Sequence, residues 1–220
     1  METAILVDGG FYRKRAYACI GDRSPKDRAD ELFEYCLRHL SSKQGKSDLY
    51  RIFYYDCEPM DKKIYHPLLD RTIDFSKTDI YKWTFEFFKE LTCKRKVALR
   101  LGKLASRQAH FQLKQSVLKD LCKGKRTFDE LTEQDFVLSV PQKGVDMKIG
   151  LDISSLAFKK QVKQIVLISG DSDFVSAAKH ARREGIDFIL DNLGNPITDD
   201  LNEHIDGLIT RDECYKKRNT

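Results

Sequence analysis

Four aspartates carry the strongest chemical signal in the chain. Asp8 closes the apolar run Ala4-Ile5-Leu6-Val7, and Asp171 and Asp173 sit in Ser169-Gly170-Asp171-Ser172-Asp173, directly after the apolar run 164–168. Asp146 opens a further apolar segment in Lys143-Gly144-Val145-Asp146. Carboxylates gathered on one rim repel one another, and a cation relieves that repulsion. An all-oxygen donor set selects a hard ion, Mg²⁺ or Mn²⁺. Structural roles compete at every position. Asp173 or Ser172 suits a helix cap, Asp146 suits the positive end of a helix dipole, and Asp8 suits a turn with Gly9. The functional reading gains weight from the arrival of distant acids on one rim. Asp152 stands apart. It lies about 240° round a helix from Asp146, so it is expected to orient a neighbour or to pair with a lysine. Asp56, after the run 50–55, is balanced between the rim and a turn through Cys57-Glu58-Pro59.

The elements that must position these acids follow from the apolar patterning. Residues 4–8, 50–55, 97–101, 164–169 and 186–190 read as strands. The unbroken apolar runs at 4–8 and 164–169 mark strands buried on both faces. Gly9-Gly10 reads as a break after the first of them. Helical spacing predicts helices over about 26–40, entered at Ser24-Pro25, and over 79–92, 108–122, 145–158 and 174–184, the last ended by Gly185. The stretch 124–142 reads as loop with a short strand near 136–140. Strands alternating with helices imply an α/β fold, a three-layer parallel sheet with helices on both faces. Ligands of such sheets bind outside the carboxyl ends of the strands. Asp8, Asp56 and the 169–173 turn lie there.

The length of 220 residues suits one domain spanning 1–220, with a basic helical elaboration around 89–126. A 41% hydrophobic content supports a core and excludes a wholly disordered chain. No apolar run is long enough to span a membrane. Met1-Glu2-Thr3 lacks the basic start of a signal peptide, and Cys19, Cys36, Cys57, Cys93, Cys122 and Cys214 form no CxxC pair. Reduced thiols in a cytoplasmic location are the expectation. Net charge is +5, but between Lys89 and Arg126 twelve Lys or Arg face only Glu90 and Asp120. Such a block favours a polyanion, most commonly nucleic acid, over a small substrate. The alternative is a solvated, lysine-rich helix face.

Other acid-bearing or phosphate-binding folds fail on single residues. A haloacid-dehalogenase-type phosphatase needs an acid where Gly10 stands. GxGxxG, GxxxxGK[ST] and DxSxS are all absent, and the histidines show no metal-ligand pairing. What the chain does contain is Ile5-Leu6-Val7-Asp8-Gly9, Tyr54-Tyr55-Asp56, the stretches 73–79 and 142–152, Ser169-Gly170-Asp171-Ser172-Asp173-Phe174 and Glu203-His204-Ile205-Asp206-Gly207. Together these resemble the NYN domain, and within it the LabA-type branch. The resemblance implies a PIN-like, Rossmann-like fold and a Mg²⁺- or Mn²⁺-dependent endoribonuclease. It also implies Asp8, Asp146 and Asp171 as metal-binding acids, with Asp173 beside them as a further catalytic acid. Gly10-Phe11-Tyr12 departs from the family, whose members often carry Asn in that stretch.

Under this reading Ser169 and Ser172 donate to a phosphate or to a metal-bound water. Arg95, Lys96, Arg100, Lys103, Arg107 and Lys114 hold the RNA backbone. Tyr12 and Trp83 are candidates for base stacking, although aromatic residues at such places more often belong to the core. Two alternatives remain, an RNA-binding regulatory module with little turnover and a small-molecule phosphohydrolase. Oligomeric state is left open, with a homodimer among the options.

Overall fold

A computed structural model of the protein describes residues 2–42 and 45–216. The strands in chain order are β1 (Glu2–Asp8), β2 (Ser41–Ser42), β3 (Gly45–Lys46), β4 (Asp48–Cys57), β5 (Lys63–His66), β6 (Arg71–Asp74) and β7 (Val97–Leu104). They continue with β8 (His110–Leu113), β9 (Phe136–Ser139), β10 (Gln142–Lys143), β11 (Gln164–Ile168), β12 (Asp187–Asp191) and β13 (Gly207–Leu208). The helices are α1 (Gly9–Ile20), α2 (Pro25–Arg38), α3 (Asp79–Thr92) and α4 (Gln115–Cys122). After them come α5 (Val145–Phe158), α6 (Val175–Arg183), α7 (Asp199–Glu203) and α8 (Glu213–Lys216). The chain divides into two compact units, one of Met1–Cys57, Glu86–Gly102 and Gly144–Thr220, the other of Glu58–Phe85 and Lys103–Lys143.

The first unit is a parallel sheet in the order β7-β4-β1-β11-β12-β13, with helices on both faces. Burial explains the order. Ala4, Ile5, Leu6 and Val7 have no exposed surface, and Ile165–Ile168 are equally buried. A strand with no polar face belongs in the middle of a covered sheet. β1 accordingly pairs on both sides, Ile5 with Val166 of β11 and with Ile52 of β4. The chain runs outward from β1 through β4 to β7, then returns to build β11, β12 and β13 on the other side. The gap between β1 and β11 is therefore a topological switch point, where a crevice opens beyond the carboxyl ends.

α1 was not expected from the sequence, where Gly9-Gly10 reads as a break. Asp8 instead caps this helix, its Oδ1 accepting the Phe11 N–H at 3.1 Å. Gly9 serves close packing: a Cβ there would meet the Tyr54 ring at 2.5 Å and the Tyr55 carbonyl oxygen at 2.6 Å.

The second unit holds two antiparallel strand pairs, the hairpin of β5 with β6 and the more distant pairing of β8 with β9 across α4. His66 is buried, with its ring 4.3 Å from that of Phe111 and 5.1 Å from that of Phe136. Lys103 and Leu104, the outgoing end of β7, pair antiparallel with β10. The expected helix over 108–122 shrinks to α4. Phe111 and Leu113 alternate instead and pair with Leu138 and Phe136, because a partner strand is available to them. Among the described residues no helix is long and apolar enough to cross a membrane.

Candidate functional site

The ends of β1 and β11 and the first turn of α5 supply the rim acids. Asp8 is half-buried. Its Oδ2 accepts a hydrogen bond from Ser169 Oγ at 3.2 Å, and Ser169 Oγ accepts the Asp171 N–H at 3.3 Å. Asp171 caps the short 3-10 turn Ser172–Phe174 by accepting the Asp173 N–H at 3.0 Å. Gly170 lets the Phe11 ring lie against this turn, because a Cβ would come within 2.7 Å of it. Asp146 sits in the first turn of α5, behind Gly144 in the left-handed region at φ 82°.

Electrostatics tie these acids together. Burial pushes the Asp8 carboxyl above its ordinary range, and repulsion from Asp146 and Asp56 adds to the shift, against the Phe11 and Ser169 hydrogen bonds. Asp146 is open to solvent on one side. Partial desolvation raises its carboxyl, and repulsion from Asp171 and Asp173 raises it further. Among the described residues no ion pair reaches Asp8, Asp146, Asp171 or Asp173.

The remaining acids differ. Asp56 is buried and takes both Arg13, at 2.9 Å, and the Tyr54 hydroxyl, at 3.1 Å. Asp152 accepts from Tyr55 Oη at 2.8 Å and from Arg100 Nε at 3.0 Å, so its partner is an arginine rather than the expected lysine. Asp191, which sequence reading passed over, ends β12 with no exposed surface. It accepts from Tyr35 Oη, from Thr210 Oγ1 at 2.9 Å and from the Leu193 N–H at 2.9 Å, and lies 2.9 Å from His39 Nε2. The only signal for it was an acid at the end of an apolar run.

Several expected substrate contacts have other surroundings. Ser169 is fully buried, so its hydroxyl faces Asp8 and not solvent, whereas Ser172 is exposed. Tyr12 is also fully buried, with its hydroxyl on Glu31, and cannot stack on a base. Arg100 is held by Asp152 and lies over the Phe53 ring. Arg95 and Lys96 are exposed in the first unit, and Lys96 Nζ reaches the Leu49 carbonyl. Lys103, Arg107 and Lys114 are exposed in the second unit.

A second constellation lies on α7 and just beyond it. Asp200, Glu203 and His204 bring their ligand atoms within 4.8 Å of one another, a donor set that a divalent ion accepts in principle. Among the described residues no three of the rim acids close to that spacing. Asp200 Oδ1 is already shared between His204 Nε2 at 3.3 Å and Lys179 Nζ at 3.7 Å.

The NYN domain model matches residues 86–202, which include Asp146, Ser169, Asp171 and Asp173 and exclude Asp8. The chain belongs to the NYN domain family. Membership is consistent with nucleic-acid interaction in general, and the fold of this NYN chain is consistent with the PIN-like nucleases. A crystal structure of a protein of unknown function from Vibrio parahaemolyticus resembles the NYN chain at 12% identity and a TM-score of 0.49, over 97% of this chain and 94% of that one. No curated protein matches the sequence significantly.

Proposed function

We propose that the rim acids form the centre of a metal-dependent ribonuclease that hydrolyses RNA phosphodiester bonds. One observation carries this reading. The strand-end acids Asp56 and Asp191 are fully paired, whereas Asp8, Asp146, Asp171 and Asp173 repel one another without a cationic partner. The donor set is all carboxylate oxygen, which suits Mg²⁺ or Mn²⁺. Asp8, Asp146 and Asp171 would hold the ion, with Asp173 beside them. A divalent ion there supplies charge neutralisation for a phosphoryl group and a lowered pKa for water.

The chain's own residues do the positioning. Ser169 orients Asp8 with its hydroxyl and receives the backbone of Asp171, so one buried side chain sets two acids. Ser172 is placed to donate to a phosphate oxygen. Arg95 and Lys96 in one unit, and Lys103, Arg107 and Lys114 in the other, are available to backbone phosphates. Pairing of Lys143-Gly144-Val145-Asp146 with the 169–174 motif supports the LabA-type branch.

The test is incubation with labelled single-stranded RNA, single-stranded DNA and duplexes in Mg²⁺, Mn²⁺ or EDTA. RNA cleavage that EDTA abolishes is the expected result. The alternative reading is an RNA-binding module without turnover. Tight RNA binding with no cleavage in any metal would establish that reading instead.

A further inference from the structure

α6 starts beside the acidic rim and ends at a different feature. Its nine residues span about 13 Å. At the far end an open cavity of about 460 Å³ is lined by Lys179, Arg182, Arg183, Ile186, His204 and Asp206. Lys179, Arg182 and Arg183 are spaced i, i+3 and i+4, which places all three on one helix face. Cations near a helix C-terminus are welcome to the dipole in any protein. That general preference does not account for how these are held.

Arg182 is fixed in advance. Its Nε donates to Asp206 Oδ1 at 2.9 Å and a terminal nitrogen donates to the Glu203 carbonyl at 3.2 Å. Asp206 is anchored in turn, since its Oδ2 accepts the Phe188 N–H at 2.8 Å and its own N–H donates to the Phe188 carbonyl at 2.8 Å. Among the described residues Lys179 makes one ion pair, the longer Asp200 contact of 3.7 Å. Arg183 is exposed and, among the described residues, makes no ion pair. The walls thus carry Lys179, Arg182 and Arg183 against the lining Asp206, with Asp200 beside Lys179 and His204, around an apolar floor at Ile186.

We infer that this cavity is a phosphate-binding site for one nucleotide, with Arg183 and Lys179 as the mobile donors and Arg182 as the fixed one. Guanidinium forks match phosphate oxygens two at a time, and the floor with the aliphatic stems of the cations suits a sugar or base edge. A volume of this size holds a mononucleotide. The phosphate comes either from a free nucleotide or from an RNA strand. The site does not depend on the ribonuclease reading, because none of its donors belongs to the rim.

Calorimetric titration of the full chain in EDTA, with 5′-AMP and separately with pentauridylate, tests this. EDTA keeps rim chemistry silent. Wild type should bind, and Arg183→Glu and Lys179→Gln should each weaken binding about tenfold or more, with both variants still unfolding cooperatively above the titration temperature despite the lost helix-end cation. Asp171→Asn should bind like wild type, which separates this site from the rim. Binding of AMP that Arg183→Glu removes identifies a free nucleotide as the source. Binding of pentauridylate alone, with a log–log salt slope that flattens by about 0.7 in Arg183→Glu, identifies a strand phosphate. No binding of either probe, or equal binding by wild type and both variants, would overturn the inference.

Discussion

Two strand-end carboxylates in the same sheet meet opposite fates. Asp191, at the end of β12, is enclosed by the Tyr35 and Thr210 hydroxyls, the Leu193 N–H and the His39 ring. Asp8, at the end of β1, has one hydroxyl and one backbone N–H, and faces the charge of Asp146 and Asp56. A fully donated carboxylate holds elements together. A carboxylate short of donors and short of cations weakens the fold unless something binds it. Partner count, and not place on a strand, separates the structural acid Asp191 from Asp8, the acid proposed to bind a metal.

The largest expected effect comes from the enclosed acid. Asp191→Ala strands several buried donors at once and should cost about 3–5 kcal/mol in urea unfolding. A loss under 1 kcal/mol would break the comparison from that side. The next effect is on activity. Asp171→Asn should lower metal-dependent RNA cleavage on the order of a hundredfold or more, with unfolding unchanged. Asp152→Asn should do far less, because Asp152 serves Tyr55 and Arg100. Equal loss in the two variants would disprove the assignment of the rim.

Asp8→Asn sharpens the contrast through pH and metal. Asn can still cap α1, so the change removes charge more than structure. The folded chain holds the protons of Asp8 and Asp146 to higher pH than the unfolded chain does, so each ionised carboxyl opposes folding. That penalty is absent below the unfolded carboxylate range and complete above the folded one. Asp8→Asn should therefore gain on wild type in melting temperature as pH rises from about 4 toward neutrality. It should also blunt the stabilisation by Mg²⁺, which for wild type is about 2.7 kcal/mol at a hundredfold excess over Kd. A variant that melts lower by the same amount with and without metal would make Asp8 a capping residue and nothing more.

The smallest effect is expected at Arg100, whose side chain is 42% exposed and whose Nε is occupied by Asp152. Arg100→Gln should cost about 1 kcal/mol or less and leave the salt slope of RNA binding unchanged. Arg95→Gln, on an exposed residue, should flatten that slope by about 0.7.

The sequence discloses what depends on local patterning. β1 and β11 are legible because every residue between their ends is apolar, and α2 because Ser24-Pro25 announces it. α1 is hidden because its two glycines look like a break until the Tyr54 ring is in place. β5 and β6 are hidden because they are polar and owe their form to each other. Asp8 and Asp171 are visible as aspartates at or just after the ends of apolar strands, yet nothing local tells Asp8 from Asp191. Of the donors that seal Asp191, Leu193 is local, but Tyr35 of α2 lies 156 residues before it and Thr210 lies 19 residues after it. Ser169 misleads for the same reason: a polar residue at a strand end reads as facing solvent, and only the neighbouring strands show that it does not.

The central place of β1 sets the order in which the molecule can come into being. Thr3 through Val7 pair with Gln164 through Ile168, so β1 waits for a strand made about 160 residues later. At ribosomal speed that delay is roughly ten to thirty seconds. During it β1 can join β4, which in turn pairs with β7, but β1 keeps one open edge made of Ala, Ile, Leu and Val, the kind of edge that invites pairing with a neighbouring chain. A nascent protein of this design is therefore most exposed to misassembly just before Asp171 emerges, and the strand that ends that exposure is the one that brings the second half of the rim.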